Sequence, residues 1–175
     1  MTHRRMKERV LGSVLASLMV PTLALGAVAL DPAVAHAEVG KAKCQFSAVL
    51  LSKDGDGKIP KELEFLRSFF ESEQFSMYKS FRLVDQKTLK LDKAVATGSS
   101  ATFKSGHKLK LNLVGGDAKK LKLRLDLSTR DGSASLVNTE YSIEDDALFM
   151  FDVGKYEDAK GSGHLMFISQ CHRAG

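Results

Sequence analysis

The chain has 175 residues, with 26 Lys or Arg against 21 Asp or Glu, so its formal net charge is +5. With 43% hydrophobic and 27% charged residues, 14 glycines and 3 prolines, the composition excludes collagen-like and low-complexity disordered classes. We therefore expect a folded chain, and its length favours a single domain around one core.

The first 37 residues show the three zones of a secretory signal peptide in order. A cluster of Arg and Lys near the start is followed by an uncharged stretch at 10–30. The segment Ala-His-Ala at 35–37 then provides the small residues that signal peptidase requires. We predict cleavage after Ala37, which leaves a mature domain of residues 38–175 in the periplasm or outside the cell.

An uncleaved membrane anchor is the alternative, because an uncharged stretch of 21 residues could span a bilayer. Pro21 and two glycines weaken such a helix, and the small-residue site favours removal. We therefore expect no transmembrane segment after cleavage.

Two cysteines, Cys44 and Cys171, lie near the ends of the predicted mature chain, in a compartment that permits disulfides. We predict an intramolecular bridge, which stabilises the fold by about 4 to 5 kcal/mol in the chain-entropy account. A redox pair is disfavoured because there is no C-x-x-C spacing. A metal site of Cys171 with His164 and His172 lacks a fourth ligand at a recognisable spacing, so we expect no metal and no cofactor.

The first predicted elements are a strand, a polar turn and a helix. The segment 44–51 alternates apolar side chains with a period of two, which indicates a strand. The turn at 53–58 precedes Pro60, which is tolerated in the first turn of a helix. Apolar residues then recur at helical spacing up to about Ser72, which predicts one amphipathic helix packed on a sheet.

The rest of the chain keeps a period of two, which is typical of strands. A tight turn at 115–117 separates two leucine-rich strands, and a loop is predicted at 155–163. The predicted strands are 77–84, 87–93, 101–104, 107–114, 121–127, 134–143, 147–153 and 164–170.

This pattern predicts a mainly β fold, an antiparallel two-layer β-sandwich of eight or nine strands with one amphipathic helix after the first strand. Cys44 opens the first strand and Cys171 closes the last. A bridge between them therefore requires these two strands to run antiparallel.

Part of this pattern also occurs elsewhere. The stretch F-S-M-Y-K-S-F-R-L-V at 75–84, L-K-L at 89–91, Phe103, Gly106 and L-K-L-N-L at 109–113 resemble a pattern in short exported proteins of Gram-negative bacteria. Those proteins also carry a helix ahead of the strands and have no assigned activity. The resemblance implies a β-rich fold and export, and it supplies no catalytic residue.

The segment S-K-D-G-D-G-K-I-P-K-E-L at 52–63 resembles the calcium loop of an EF-hand. Asp54 and Asp56 fit the third and fifth positions of that loop. Ser52 and Leu63 take the first and twelfth positions, so the bidentate glutamate is missing. A polar turn that uses glycine for positive φ is the favoured interpretation, with weak calcium binding as the alternative.

Charge is uneven along the chain. Residues 104–130 carry eight Lys or Arg against two acids, and residues 138–158 carry seven acids against one Lys. The leucines of the predicted hairpin face inward, so alternate residues face outward. If Leu113 lies opposite Leu121, then Lys110 lies opposite Arg124, and like charges invite an anionic partner. The predicted anionic-partner residues are Lys108, Lys110, Lys122 and Arg124.

The alternative is that these lysines only keep a leucine-rich sheet soluble and block edge pairing. Candidate partners are an envelope protein, an anionic envelope polymer, lipid headgroups or the acidic region of another copy. Nucleic acid is not expected for an exported protein.

Catalysis has little support in the sequence. Ser162 lies two residues from His164, without a G-x-S-x-G motif, and the acids Glu144 and Asp146 fall in a predicted turn. The absence of Trp weakens a carbohydrate-binding module. We therefore expect an exported non-enzymatic binding or structural module of the cell envelope, with a small secreted hydrolase of unrecognised site as the alternative.

Because the twelfth-position ligand is absent, we predict that the 52–63 loop does not hold calcium tightly. Calorimetric titration of the exported protein should give no dissociation constant below about 10 μM, the weak end of the range of EF-hand sensor sites. A tighter constant, lost in the variant Asp54→Asn, would contradict this interpretation.

Overall fold

The structure, a computed structural model, describes residues 38–174, and the predicted signal peptide at 1–37 lies outside the described residues. Within 38–174 the chain forms eight strands. They are β1 (Lys41–Ser52), β2 (Ser80–Asp92), β3 (Ser99–Thr102), β4 (Lys108–Gly116), β5 (Lys120–Ser128), β6 (Ser135–Glu144), β7 (Leu148–Asp158) and β8 (Gly161–Arg173).

The strands form two antiparallel sheets of four, which confirms the predicted two-layer β-sandwich. Sheet A has the order β2-β1-β8-β7, and sheet B has the order β3-β4-β5-β6. The alternating leucines of β4 and β5 point between the sheets, where they meet Phe46 and Phe167 of sheet A. Burial of this apolar surface supplies the main driving force for the sandwich.

Sheet A carries a second apolar core on its outer face. In β1 the alternation of burial gives way to continuous burial at Phe46–Leu51, because Val49 and Leu51 face outward against another layer. That layer is the segment between β1 and β2, whose side chains Leu63, Leu66 and Phe70 are buried against the sheet. The central strand β1 is therefore covered on both faces.

The predicted helix lies in the expected place after β1, and it is short. It consists of a 3-10 segment Lys61–Leu66, one α-helical turn α1 (Arg67–Phe70) and a further 3-10 turn Glu73–Phe75. The Ser72 hydroxyl donates to the Phe69 carbonyl at 2.7 Å, which competes with continuation of the helix. Among the described residues no helix is long and apolar enough to span a membrane.

A disulfide joins Cys44 of β1 to Cys171 of β8, as predicted. The two residues are direct partners in the antiparallel register, with 4.0 Å between their Cα atoms and both side chains fully buried. The bridge therefore links the first and last strands at the centre of sheet A.

Two strands predicted at 77–84 and 87–93 are one strand, β2. Pairing with β1 continues on both sides of Val84, since Ala48 faces Asp85 and Val49 faces Leu83. Val84 is thus the extra residue of a β-bulge, and the predicted break was wrong. The charged side chain of Asp85 is buried instead of marking a turn.

The loop predicted at 155–163 was also wrong. Strand β7 continues to Asp158 and β8 starts at Gly161, so a two-residue turn joins them. The polar residues and glycines of this segment suggested a loop, yet Tyr156 points into the core and is 8% exposed. The turn is closed by the Asp158 carboxylate, which accepts a hydrogen bond from the Lys160 amide at 2.8 Å.

The central disulfide leads to a stability prediction. Replacing both cysteines by alanine (Cys44→Ala with Cys171→Ala) should lower the free energy of unfolding by about 2 to 5 kcal/mol, because a long loop is no longer closed in the unfolded state. Urea denaturation gives the measurement. Lys43→Ala, at an exposed position beside Cys44, is the matched control and should change it by less than about 0.5 kcal/mol. An unchanged midpoint in the double variant would contradict the assignment of this role to the bridge.

Candidate functional site

The outer face of sheet B carries the predicted cations. Along β4 and β5 every second residue is a buried leucine, so the residues between them face away from the core. We call the exposed group Lys108, Lys110, Lys122 and Arg124 the basic sheet face. The structure therefore places all four predicted residues on one surface.

The register across this face differs from the prediction. Gly116, and not Leu113, pairs with Leu121, and a β-bulge at Val114 shifts the register by one further residue, so that Leu113 lies opposite Leu123. Lys110 consequently faces Asp126, and Asn112 faces Arg124. Like charges are therefore not directly opposed, and the repulsion argument for an anionic partner does not hold in that form.

The basic strand β5 and the acidic strand β6 are neighbours in sheet B. Glu140 of β6 accepts from Lys122 Nζ at 2.8 Å and from Arg124 Nη2 at 2.9 Å. These contacts, the one to Lys122 first, lower the pKa of Glu140. Lys108 and Lys110 form no ion pair with any residue of 38–174, so they remain the free cations of the face.

A shallow depression lies beside these two lysines. It has a volume of about 390 Å³ and lies where β3 pairs with β4. Its polar lining consists of Ser100, Thr102, Lys108, Lys110, Asp126 and Ser128.

A larger groove, which we call the end cleft, lies at one end of the sandwich. It measures about 1010 Å³ and opens between the turn after β5 and the β7–β8 hairpin. The side chains on which the argument below depends are His107, Arg130, Ser133, Lys155, Tyr156 and Ser162.

His107 is the most buried polar group of the end cleft. Its side chain is 8% exposed and its ring packs edge-on against Phe167, with 5.8 Å between the ring centroids. Its Nδ1 lies 3.0 Å from the Ser105 hydroxyl, while Nε2 forms no hydrogen bond within the described part of the chain. Burial, and next the charge of Arg130, lower the pKa of His107, so the ring is neutral at pH 7.

Arg130 is held in place over an aromatic ring. Its guanidinium carbon lies 4.6 Å from the centroid of Tyr156, a cation–π contact. On the other side its stem lies against Gly106, where an added Cβ would come within 3.0 Å of Arg130 Cγ. Gly106 also has a φ of +87°, a conformation that glycine adopts without strain.

The turn that carries Arg130 is closed by hydrogen bonds to one carboxylate. The Asp131 carboxylate accepts from the Thr129 hydroxyl at 2.6 Å and from the Ser133 amide at 3.0 Å. These hydrogen bonds, the one from Thr129 first, lower the pKa of Asp131 to about 2. The carboxylate is thus committed to its own turn.

A buried carboxylate fixes the turn that carries His107. Asp85 of sheet A is 8% exposed, and its Oδ2 accepts from the Lys104 amide of sheet B at 2.9 Å. Its Oδ1 accepts from the Gln86 amide at 2.9 Å. Burial alone would raise the pKa of Asp85, but the Lys104 and Gln86 amides and then Lys87 outweigh it and lower the pKa.

The residues considered for hydrolysis are only partly brought together. Ser162 and His164 both line the end cleft, and His164 Nδ1 lies 3.3 Å from Asp152 Oδ2. Within 38–174 no hydrogen bond joins Ser162 to His164. Asp146 lies 3.9 Å from His172, and Glu144 faces Lys120 across the sheet.

In the 52–63 loop, the Asp56 carboxylate is engaged by Lys58. Asp56 binds Lys58 through both the side chain, at 2.9 Å, and the backbone amide, at 3.0 Å. These bonds lower the pKa of Asp56. Among the described residues no group of three or more His, Cys, Asp or Glu side chains is arranged to hold a metal ion.

Comparison of the chain with models of protein families, with curated proteins and with solved structures gives no match. The site therefore has to be judged from its own geometry. Sequence reasoning missed Asp85, Arg130 and Tyr156, because their roles depend on contacts between strands that are distant in sequence. For Asp85 the sequence does offer a local signal, because a charged residue stands there within a strand of otherwise alternating apolar side chains.

The Asp85 contact predicts a pH-dependent stability. Asp85→Asn keeps the size of the side chain and removes the charged acceptor, so it should cost about 1 to 3 kcal/mol at pH 7. The folded-state pKa of Asp85 lies below the unfolded value of about 3.9. The contribution is therefore present above that unfolded value and is lost as pH falls through the folded pKa.

Urea denaturation of parent and variant between pH 7 and pH 2.5 measures this difference. It should be constant above about pH 5 and shrink at lower pH. Asp54→Asn removes the same charge from an exposed loop and serves as the control. A parent-to-variant difference that stays constant down to pH 2.5 would contradict the role of the ionised carboxylate.

Proposed function

We propose that this domain is an exported, non-enzymatic binding or structural module of the cell envelope that contacts an anionic partner through the basic sheet face. The observation that carries the proposal is the pair Lys108 and Lys110, both exposed and without an ion pair within 38–174. Two cations without an ion pair, at alternate positions of one strand, attract anions to this surface.

The four cations contribute unequally in this proposal. Lys122 and Arg124 already share Glu140, so an incoming anion has to compete with that carboxylate. Lys108 and Lys110 form no ion pair within 38–174, although Asp126 faces Lys110 across the sheet, and the hydroxyls of Ser100 and Thr102 lie beside them as hydrogen-bond donors. Single exposed ion pairs are weak, so binding should be collective and sensitive to salt.

Export rests on two independent features. The N-terminal 37 residues have the zones of a secretory signal, and the described domain holds a disulfide of a kind that persists in oxidising compartments. The resemblance to short exported proteins of Gram-negative bacteria supports the same location, which we propose to be the periplasm or the exterior. Envelope polymers, lipid headgroups and acidic envelope proteins are the anions available there.

A small hydrolase is the second candidate, favoured by the 3.3 Å contact of His164 with Asp152 beside Ser162. The hydrolase would depend on His164, whereas the binding proposal depends on Lys108 and Lys110. In a hydrolase His164→Ala would abolish turnover of an ester or glycoside substrate. In the binding proposal the same variant retains affinity for anionic surfaces.

Removing the free cations should weaken binding to anionic vesicles. A lysine near an anionic membrane contributes about 1 kcal/mol, so Lys108→Gln with Lys110→Gln should lower the partition coefficient about 30-fold at low salt. Lys41→Gln with Lys43→Gln removes the same charge from exposed positions of sheet A and is the matched control.

Co-sedimentation with vesicles containing phosphatidylglycerol provides the measurement. The variant Lys122→Gln with Arg124→Gln should lose less than the Lys108 and Lys110 variant, since its cations are already paired. Equal binding by parent and free-cation variant, or no binding by the parent, would show that the lysines serve solubility alone.

A further inference from the structure

We propose that the end cleft is a second ligand site, which binds a small hydroxylated anion of the acidic-sugar class through Arg130, Lys155 and His107. This site is distinct from the basic sheet face and does not depend on the function proposed above. Its residues come from both sheets, at the end of the sandwich where the β7–β8 hairpin meets the turn after β5.

The first argument is an unused hydrogen-bonding group at the base of the cleft. His107 is more than nine-tenths buried, and its Nδ1 is occupied by Ser105 at 3.0 Å. Its Nε2 has no partner among residues 38–174, and the ring is part of the cleft lining. This nitrogen is not among the buried unsatisfied atoms and is open to the cleft, so a ligand hydroxyl can replace water as its hydrogen-bond partner.

The second argument is the fixed position of a cation. Arg130 is exposed, and its guanidinium lies over the ring of Tyr156 while its stem runs beside Gly106, which gives this cation a defined place at the cleft. Guanidinium groups bind carboxylate and phosphate oxygens in a bidentate manner. A guanidinium beside a groove and without an ion pair among residues 38–174 is therefore suited to an oxyanion.

The third argument is the charge balance of the cleft. Arg130 and Lys155 form no ion pair within the described chain, while the nearby carboxylate of Asp131 is bound by its own turn. Glu157 is the remaining acid of the lining. With Asp131 and Glu157 against Arg130 and Lys155, the lining is balanced in formal charge, so an anionic ligand has to bind through direct contact with the two cations that are not engaged in an ion pair.

The fourth argument concerns the rest of the ligand. The lining supplies the hydroxyls of Ser133 and Ser162, and the face of Tyr156 is already covered by Arg130. An apolar ring would find little surface to stack on, whereas hydroxyl groups would find donors and acceptors. A volume of about 1010 Å³ lies at the upper end of small-molecule sites and accommodates a sugar.

Isothermal titration of the exported protein with four probes tests the proposal: glucuronate, glucose 6-phosphate, glucose and inorganic phosphate. We expect at least one of the two acidic sugars to bind at least tenfold more tightly than both glucose and phosphate. Comparison of the two acidic sugars then distinguishes a carboxylate from a phosphate as the preferred anion.

Arg130→Gln should weaken that binding at least tenfold, because the exposed guanidinium is removed without a change in the core. His107→Gln tests the buried nitrogen, and the thermal midpoint shows whether this variant remains folded. Lys108→Gln with Lys110→Gln should leave sugar binding unchanged, which separates this site from the basic sheet face. Equal affinity for glucose and the acidic sugars, absence of binding by all four probes, or full affinity in Arg130→Gln would overturn the proposal.

Discussion

The covalent pairing of Cys44 with Cys171 fixes the register on which the remaining structure depends. It joins the first and last strands, which are the two central strands of sheet A. All other strands lie between these two in the sequence, and in sheet A the strands β2 and β7 flank them. The pairing also sets which residues of β1 face sheet B and which face the short helical layer. A shift by one residue would exchange these two sets and expose both cores.

The two sheets are also joined at a polar contact, which connects the fold to the end cleft. The Asp85 carboxylate of sheet A accepts a hydrogen bond from the backbone amide of Lys104. His107, which follows in the same connection between β3 and β4, lines the cleft. At the same end, the guanidinium of Arg130, in the turn after β5 of sheet B, lies over the ring of Tyr156 in β7 of sheet A. The cleft is thus built from contacts between the sheets, and its geometry follows from how the sandwich is assembled.

Local sequence patterns predicted the positions of the strands better than the pairing between strands. The alternating leucines of β4 and β5 identified two strands and their inward faces, since burial has the same period as the strand. The bulges at Val84 and Val114 were missed, because a bulge is defined by the opposite strand. The cleft could not be predicted for the same reason. The sequence contains His107 and Arg130, but nothing local in it indicates that the packing of the two sheets brings them to one cleft.

The double burial of β1 has a consequence for how the molecule opens. Displacing Phe46–Leu51 would expose apolar surface in two cores at once, so this strand cannot fray independently. Its amides should belong to the slowest-exchanging cooperative unit of the protein, together with those of the neighbouring β8. Local opening that precedes global unfolding therefore has to begin in the exposed turns at the ends of the sandwich, while the centre of sheet A remains closed.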